Sequence, residues 1–164
     1  MRTRHADSRL EGFTLIELVV TIAIIALLST VAMPLAELTA KRSREQDLRN
    51  ALMHIRDAID AYKTAYDQGK LPQIVGATGY PPNLDVLWQG VDDTSAANSG
   101  KKIYFLRRLP RDPFATDPNQ TAAQTWGKRS YASPPDEPAE GDDVFDVYSQ
   151  SQDKDLRGIP YKEW

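Results

Sequence analysis

Residues 12–38 read GFTLIELVVTIAIIALLSTVAMPLAEL, an apolar stretch in a 164-residue chain whose mean hydropathy is −0.50. No residue between positions 18 and 36 carries a charge. As an α-helix, at about 1.5 Å per residue, this uncharged segment spans roughly 28 Å, which is close to the hydrocarbon thickness of a bilayer. The sequence therefore predicts a membrane-spanning helix near the N-terminus, followed by a polar remainder.

The signals around this segment are ordered differently from those of a secretory signal peptide. A signal peptide places its small-residue cleavage site after the apolar run. Here a short leader containing Arg2, Arg4 and Arg9 ends at Gly12, immediately before the run begins. The order of these signals therefore argues against a conventional signal peptide.

A specific resemblance lies in residues 12–18, GFTLIEL, which look like the processing motif of type IV prepilins and type II secretion pseudopilins. In that family a prepilin peptidase cuts after the glycine and methylates the new amino terminus. The resemblance implies cleavage between Gly12 and Phe13, with N-methylation of Phe13. It divides the chain into a leader (1–12), a transmembrane and filament-core helix (13–40) and a globular pilin-like head (41–164).

Glu17 is an acid at the start of the apolar segment, where it needs a partner. A carboxylate in a spanning helix costs about 2.5 to 3.5 kcal/mol near the bilayer centre, and less toward the interface. Cleavage before Phe13 would create a positively charged α-amino group, which Glu17 of a neighbouring subunit can meet. This favours a role in assembly. The alternative is that Glu17 only complements its own helix N-terminus, an effect of roughly 0.3 to 1 kcal/mol.

Pro34 lies inside the apolar stretch, where it removes one helical hydrogen bond. We expect a kink or a local loosening of the helix there, and a proline at this distance from the processing site is common in the family that the motif resembles. The alternative is that the helix simply ends at Pro34. An apolar stripe at helical spacing beyond the proline argues against that alternative.

The residues after position 40 predict an α+β head built on the second half of the same helix. The stripe recurs at spacings of four and three, and Gly69 followed by Pro72 predicts a helix over 14–68. Three segments rich in aromatic and β-branched residues predict a small antiparallel sheet packed on the helix. The stripe is Leu48, Leu52, Ile55, Ile59, Tyr62 and Tyr66; the strands are 103–106, 126–131 and 144–148; the sheet residues expected to be buried are Tyr104, Trp126, Tyr131 and Phe145.

The C-terminal part narrows the resemblance to the major pseudopilin of type II secretion. The matching stretches are LPRDPF at 109–114, WGKRSY at 126–131 and DVYS at 146–149. An insertion rich in proline and acids at 133–143 departs from the pattern.

The resemblance also implies a calcium ion, because major pseudopilins generally hold one in the loop after the last strand. Calcium takes six to eight oxygen ligands, which a loop can supply. The alternative is a solvated acidic turn, which Lys154 and Arg157 favour because they bring positive charge to the loop. The ligands implied are Asp153 and Asp155 through their carboxylates, and Tyr148 and Gln150 through backbone oxygens.

Composition argues against nucleic acid and against catalysis. The net charge of −3 provides no basic surface for nucleic acid. The chain has no cysteine, which excludes disulfides and thiolate metal sites. It also has no phosphate-binding glycine loop, nucleophile elbow or pair of metal-binding histidines. We expect neither an enzyme nor a nucleic-acid-binding protein.

Three hypotheses for function follow. The first is a structural subunit of the type II secretion pseudopilus, polymerising in the bacterial inner membrane to drive protein export, with a single span and a periplasmic head. The second is a type IV pilin of a surface fibre, and the third is a signal-anchored periplasmic binding domain. The partners implied by the first are further copies of the chain, prepilin peptidase, minor pseudopilins and the inner-membrane secretion platform.

Overall fold

The computed structural model describes residues 12–95, 98 and 100–164; the predicted leader up to residue 11, with its three arginines, lies outside these residues. The fold is α+β, as predicted. Two compact units divide the chain, one ending at Arg42 and one from Ser43 to Trp164. The elements are α1 (Leu15–Asp67), α2 (Val86–Gln89), β1 (Val91–Asp92), β2 (Lys102–Ile103), a 3-10 helix (Ala122–Thr125), β3 (Trp126–Arg129), β4 (Asp146–Ser149) and a second 3-10 helix (Tyr161–Glu163).

Helix α1 passes through Pro34 without interruption, so the alternative in which the helix ends there is wrong. A bend at Pro34 stays a prediction. The helix ends as the sequence indicated, because Gly69 adopts a left-handed φ of 67°. Its amide donates to the Tyr66 carbonyl at 2.9 Å, and the amide of Lys70 donates to the Ala65 carbonyl at 3.0 Å. These two bonds form a Schellman motif, which satisfies the last carbonyls of the helix.

The head is organised around the predicted apolar stripe of α1. Leu48 and Ile55 are fully buried, and only Tyr66 at the end of the stripe is half-buried. Trp126 of β3 and Val147 of β4 belong to the same core and are fully buried. Burying one such aliphatic side chain contributes roughly 1.5 to 3 kcal/mol, so this contact between helix and strands stabilises the head. The other core residues are Ala51, Leu52, Ala58, Ile59, Tyr62, Ala65, Leu71, Leu84, Leu87, Leu109, Val144 and Tyr161.

The predicted antiparallel β-structure is present, divided between two two-stranded sheets. Strand β1 pairs with β2, and β3 pairs with β4. In the second sheet Trp126 lies opposite Ser149, and Gly127 lies opposite Tyr148. Strand β3 begins at the predicted residue and ends two residues early, and β4 begins two residues later and ends one residue later than predicted.

The first predicted strand is largely replaced by contacts to α2. The backbone amides of Phe105 and Leu106 both donate to the Leu87 carbonyl, at 2.9 and 2.8 Å, and so are not available to a strand partner. Tyr104 was expected to be buried, but it is 61% exposed. Its ring lies over Gly90, where an added Cβ would come within 2.7 Å of the ring.

The burial of Tyr131 was also predicted wrongly, since its side chain is 59% exposed. Tyr131 stacks on Tyr80 with ring centroids 5.5 Å apart and meets Phe145 edge-on at the same distance. These three rings form an aromatic cluster at the surface of the head. The other two predictions agree better with the structure, because Trp126 is fully buried and Phe145 is half-buried.

Candidate functional site

Residues 12–14, directly before helix α1, are irregular and exposed. Gly12 and Phe13 precede the first helical residue, and the Phe13 side chain is 83% exposed. An added Cβ on Gly12 would meet no atom within 4 Å. The predicted scissile bond therefore lies in accessible, non-helical backbone, which is the form that a peptidase can bind. Cleavage at this bond stays a prediction.

Thr14 caps helix α1. Its Oγ1 accepts a hydrogen bond from the backbone N–H of Glu17 at 3.3 Å, and its carbonyl accepts one from the amide of Leu18 at 3.2 Å. Glu17 thus occupies the third helical position, where a carboxylate complements the positive end of a helix. The spacing Thr-x-x-Glu before an apolar run is a capping-box signature. The spacing indicates this cap in the sequence, but the prediction for Glu17 considered only its charge.

The apolar half of α1 satisfies its own hydroxyl groups. By length and composition this part of the helix is able to cross a membrane, with a mean hydropathy of 2.5 in its most apolar window. Polar groups in lipid need an internal partner, and a hydroxyl obtains one by donating to a carbonyl one turn earlier. Such bonds among the described residues run from Thr21 to Leu18 at 2.8 Å, Ser29 to Ile25 at 2.8 Å, Thr30 to Leu27 at 2.7 Å and Thr39 to Leu35 at 2.9 Å.

Known proteins share both this segment and much of the head. Residues 8–33 match the family model described as the prokaryotic N-terminal methylation motif. The chain is 30% identical over 119 residues to type II secretion system core protein G of Escherichia coli (strain K12), covering 69% of this chain and 72% of that relative. The chain belongs to the core protein G family of type II secretion systems.

Two further core protein G relatives extend the comparison. The protein of Klebsiella pneumoniae is 27% identical over 66% of this chain and 72% of its own length. That of Aeromonas hydrophila is 24% identical over 73% of this chain and 78% of its own length. No solved structure matches the chain.

In this member of the core protein G family, Asp155 braces the loop after β4. Its Oδ1 accepts hydrogen bonds from the backbone N–H groups of Arg157 at 2.7 Å and Ile159 at 2.9 Å, and its Oδ2 accepts one from Nε of Arg157 at 3.0 Å. Burial by itself would raise the pKa of Asp155, but these hydrogen bonds lower it below its ordinary 3.8. Both oxygens already accept from protein donors, one of them a guanidinium. Asp155 therefore fits poorly as a calcium ligand.

Asp153 and Gln150 lie in a different environment. Together with Asp112 and Asp117 they line a cavity of about 370 Å³ between the loop and the segment 112–120. Among the residues that the structure describes, no three histidine or acidic side chains form a metal-binding group. A calcium ion in this cavity would therefore be held by at most two carboxylates, with amide, hydroxyl and backbone oxygens as the other ligands.

Three buried acids escaped the sequence analysis. Each lies within the head and accepts a hydrogen bond from a hydroxyl group that is distant in sequence. No local pattern marks such a pair, since its partners are 13 to 116 residues apart. The pairs are Glu45 with Tyr161 at 3.0 Å, Asp112 with Ser149 at 2.5 Å and Asp143 with Ser130 at 2.6 Å.

Proposed function

We propose that the chain is a structural subunit of the type II secretion pseudopilus, which polymerises in the inner membrane to drive protein export. Membership of the core protein G family supports this function. The observation that carries it is the exposed Gly12–Phe13 bond directly before a capped, membrane-length helix with one acid in its first turn. A structural role fits this arrangement, which presents an anchor and a head and needs no catalytic group.

Assembly in this proposal depends on a pair of opposite charges. Prepilin peptidase cuts before Phe13 and methylates the new amine, which remains positively charged. The Glu17 carboxylate at the start of α1 then pairs with the amine of the next subunit. Each added copy then neutralises a poorly solvated acid. The N-terminus faces the cytoplasm, the head lies in the periplasm, and minor pseudopilins and the inner-membrane platform are the further partners.

We also propose calcium as a cofactor of the head, held on the Asp153 and Gln150 side of the loop and not by Asp155. The oxygen-rich lining of the cavity at Asp153 supports this choice, as does the engagement of both Asp155 oxygens with protein donors. When bound, calcium would act as a clamp. Its binding free energy would add to the stability of a head that has no disulfide.

N-terminal mass analysis of the mature protein tests this function. The chain is expressed in a strain with a type II secretion system, and the same strain without prepilin peptidase is the control. We expect a mature start at N-methylated Phe13 with the peptidase and an uncut Met1 without it. Deletion of the gene should abolish exoprotein secretion. A peptidase-independent start, or loss of surface fibres with normal secretion, would contradict the proposal.

A further inference from the structure

An open groove of about 500 Å³ lies beside α2 on the head, lined by Trp88, Tyr104, Phe105, Leu106 and Arg107. Trp88 is 41% exposed and Tyr104 is 61% exposed. Tryptophan, tyrosine and arginine are the residues that most often carry binding energy at protein interfaces. The groove therefore has the composition of a docking surface.

The groove is held firmly by the head beneath it. Two backbone amides of its floor donate to the carbonyl of Leu87, a fully buried core residue. The Tyr104 ring rests on Gly90, whose φ of 80° and missing Cβ make room for it. Trp88 Nε1 donates to Asp85 Oδ1 at 3.0 Å. Aromatic side chains fixed in this way lose little conformational entropy when a partner binds.

Segment 101–108, which supplies four of the five lining residues of the groove, is positively charged. Within eight residues of sequence it carries Lys101, Lys102, Arg107 and Arg108, and all four side chains are exposed. The rim therefore favours an acidic partner, because opposite charges across an interface guide encounter and fix the orientation of the partners.

A segment with the complementary chemistry lies elsewhere on the same head. Residues 134–142 read PPDEPAEGD, and every one of them is exposed. The C-terminal part of the segment is tied down, since the Ala139 carbonyl accepts from the Ser130 amide at 2.9 Å and Glu140 pairs with Lys128 at 3.2 Å. On its own head the segment lines a different cavity, beside Arg56 and Trp164. Its prolines and acids thus face outward on a supported loop.

We propose that the acidic segment 134–142 of one copy docks in the aromatic groove of the next copy in the filament. Proline-rich segments dock in aromatic-lined grooves in known recognition modes, and Asp136 and Glu137 provide the charges that Arg107 and Arg108 attract. The contact joins two different patches of one chain. Such a heterologous contact extends into an open helical assembly instead of closing as a dimer. The inference rests on the proposed function, and it adds a head-to-head contact to the helix pairing through Glu17.

Cysteine cross-linking tests the contact directly, because the chain has no cysteine of its own. Gln89→Cys lies in α2 beside Trp88, and Ala139→Cys lies in the acidic segment; both positions are exposed, and neither change removes a charge or a ring. Full-length chains carrying both substitutions are treated with a short bismaleimide in cells. We expect a ladder of covalent multimers from the double variant and none from either single variant. Gln89→Cys with the exposed Asn119→Cys is the matched control.

Charge reversal provides the second measurement. Arg107→Glu should lower the yield of the cross-linked ladder by roughly tenfold, because it opposes like charges. Combining Arg107→Glu with Glu137→Arg should restore the yield. Three results would overturn the contact and leave the proposed function standing. They are filaments that give no ladder, an equal ladder from the control with Asn119→Cys, and failure of the double reversal to restore the yield. Absence of filaments from the unsubstituted chain overturns both.

Discussion

The phenol of Tyr161 donates a 3.0 Å hydrogen bond to Oε1 of Glu45, across 116 residues of sequence. Tyr161 is fully buried, and Glu45 is 8% exposed. Burial, followed by the hydrogen bond to Glu45, raises the pKa of Tyr161 well above its ordinary value of 10. The phenol therefore remains protonated and donates at any physiological pH. The pair ties the second 3-10 helix to the part of α1 that begins the head.

Removing the Tyr161 hydroxyl should destabilise the head. Tyr161→Phe leaves a buried carboxylate without its donor, and we expect the free energy of unfolding to fall by about 1.5 to 3 kcal/mol. Denaturant titration of the full-length chain in detergent, followed by tryptophan fluorescence, measures this change. Tyr104→Phe is the matched control, because that side chain is 61% exposed and its hydroxyl should contribute little. Equal stability of the two variants would contradict the assigned role of the Glu45–Tyr161 bond.

Gly127 should not tolerate even one methyl group. It lies opposite Tyr148 in the second sheet, and an added Cβ would overlap the Tyr148 ring. Overpacking of this kind costs roughly 1 to 3 kcal/mol, so Gly127→Ala should lower the melting temperature of the head. Adding Tyr148→Ala to Gly127→Ala should recover part of the loss. If the double variant is destabilised by the sum of the two single effects, the ring does not cover Gly127.

Asp143 should make the head sensitive to acid. Burial by itself would raise its pKa, but hydrogen bonds from Ser130, Thr78 and the amide of Tyr131 lower it below the ordinary 3.8. A lowered pKa stabilises the fold above the unfolded-state value and loses that contribution as the pH falls through the folded-state value. The melting temperature should therefore drop as the pH decreases below 3.8.

A pair of neighbouring variants isolates the contribution of Asp143. Asp143→Asn should lower the melting temperature at neutral pH and reduce its further fall in acid, measured between about pH 7 and pH 2. Asp142→Asn removes the same charge from an exposed position and should change neither quantity. Identical pH profiles for the two variants would argue against a stabilising Asp143 carboxylate.

Asp153 and Asp155 should respond differently to calcium. Asp155→Asn should destabilise the head in the presence of a chelator, because Asp155 braces the loop without any ion. Asp153→Asn should leave stability in chelator unchanged and should remove the increase in melting temperature that calcium gives the unsubstituted chain. Magnesium is the control ion. If calcium does not shift the melting temperature of the unsubstituted chain, the cofactor proposal fails.

Glu17→Ala should permit processing and prevent assembly. The scissile bond before Phe13 is unchanged in this variant, but the carboxylate that recruits the next amine is absent. We expect a mature start at Phe13 and a loss of filaments, read by mass analysis and by electron microscopy of sheared filaments. Glu37→Ala is the control, because it removes an acid from the far end of the apolar segment. Normal filament yield from Glu17→Ala would refute the charge pairing.

The long helix could be predicted because its determinants are local. The apolar stripe shows the helical period directly in the sequence, and Gly69 marks the C-terminal end. The observed bounds of α1 therefore differ from the predicted bounds by only one residue at each end. The exposure of Tyr104 and Tyr131 depends on contacts with segments that are distant in the sequence. Tyr104 directly precedes two residues whose amides bond to the Leu87 carbonyl of α2, and Tyr131 belongs to a surface aromatic cluster. Neither arrangement produces a periodic pattern in the sequence.

The processing segment was equally accessible to sequence analysis, since Gly12, Phe13 and Glu17 are contiguous with the apolar run. The loop after β4 was not, because the fitness of a carboxylate for a metal depends on which donors already occupy it. Asp153 and Asp155 are two positions apart and look equivalent in sequence. In the structure, hydrogen bonds from Arg157 and Ile159 hold the buried Asp155, whereas Asp153 is exposed and lines a cavity.

Strand β4 and Tyr161 come late in the sequence, yet they occupy the centre of the head. During synthesis the apolar face of α1 and the edge of β3 are therefore made long before the residues that cover them. Until residues 146–161 emerge, a nascent chain has an unpaired strand edge and a bare helix face, both of which invite aggregation and degradation. We therefore expect chains that end before residue 146 to be less stable than the full-length chain, because they lack the residues that cover the helix face and pair with β3.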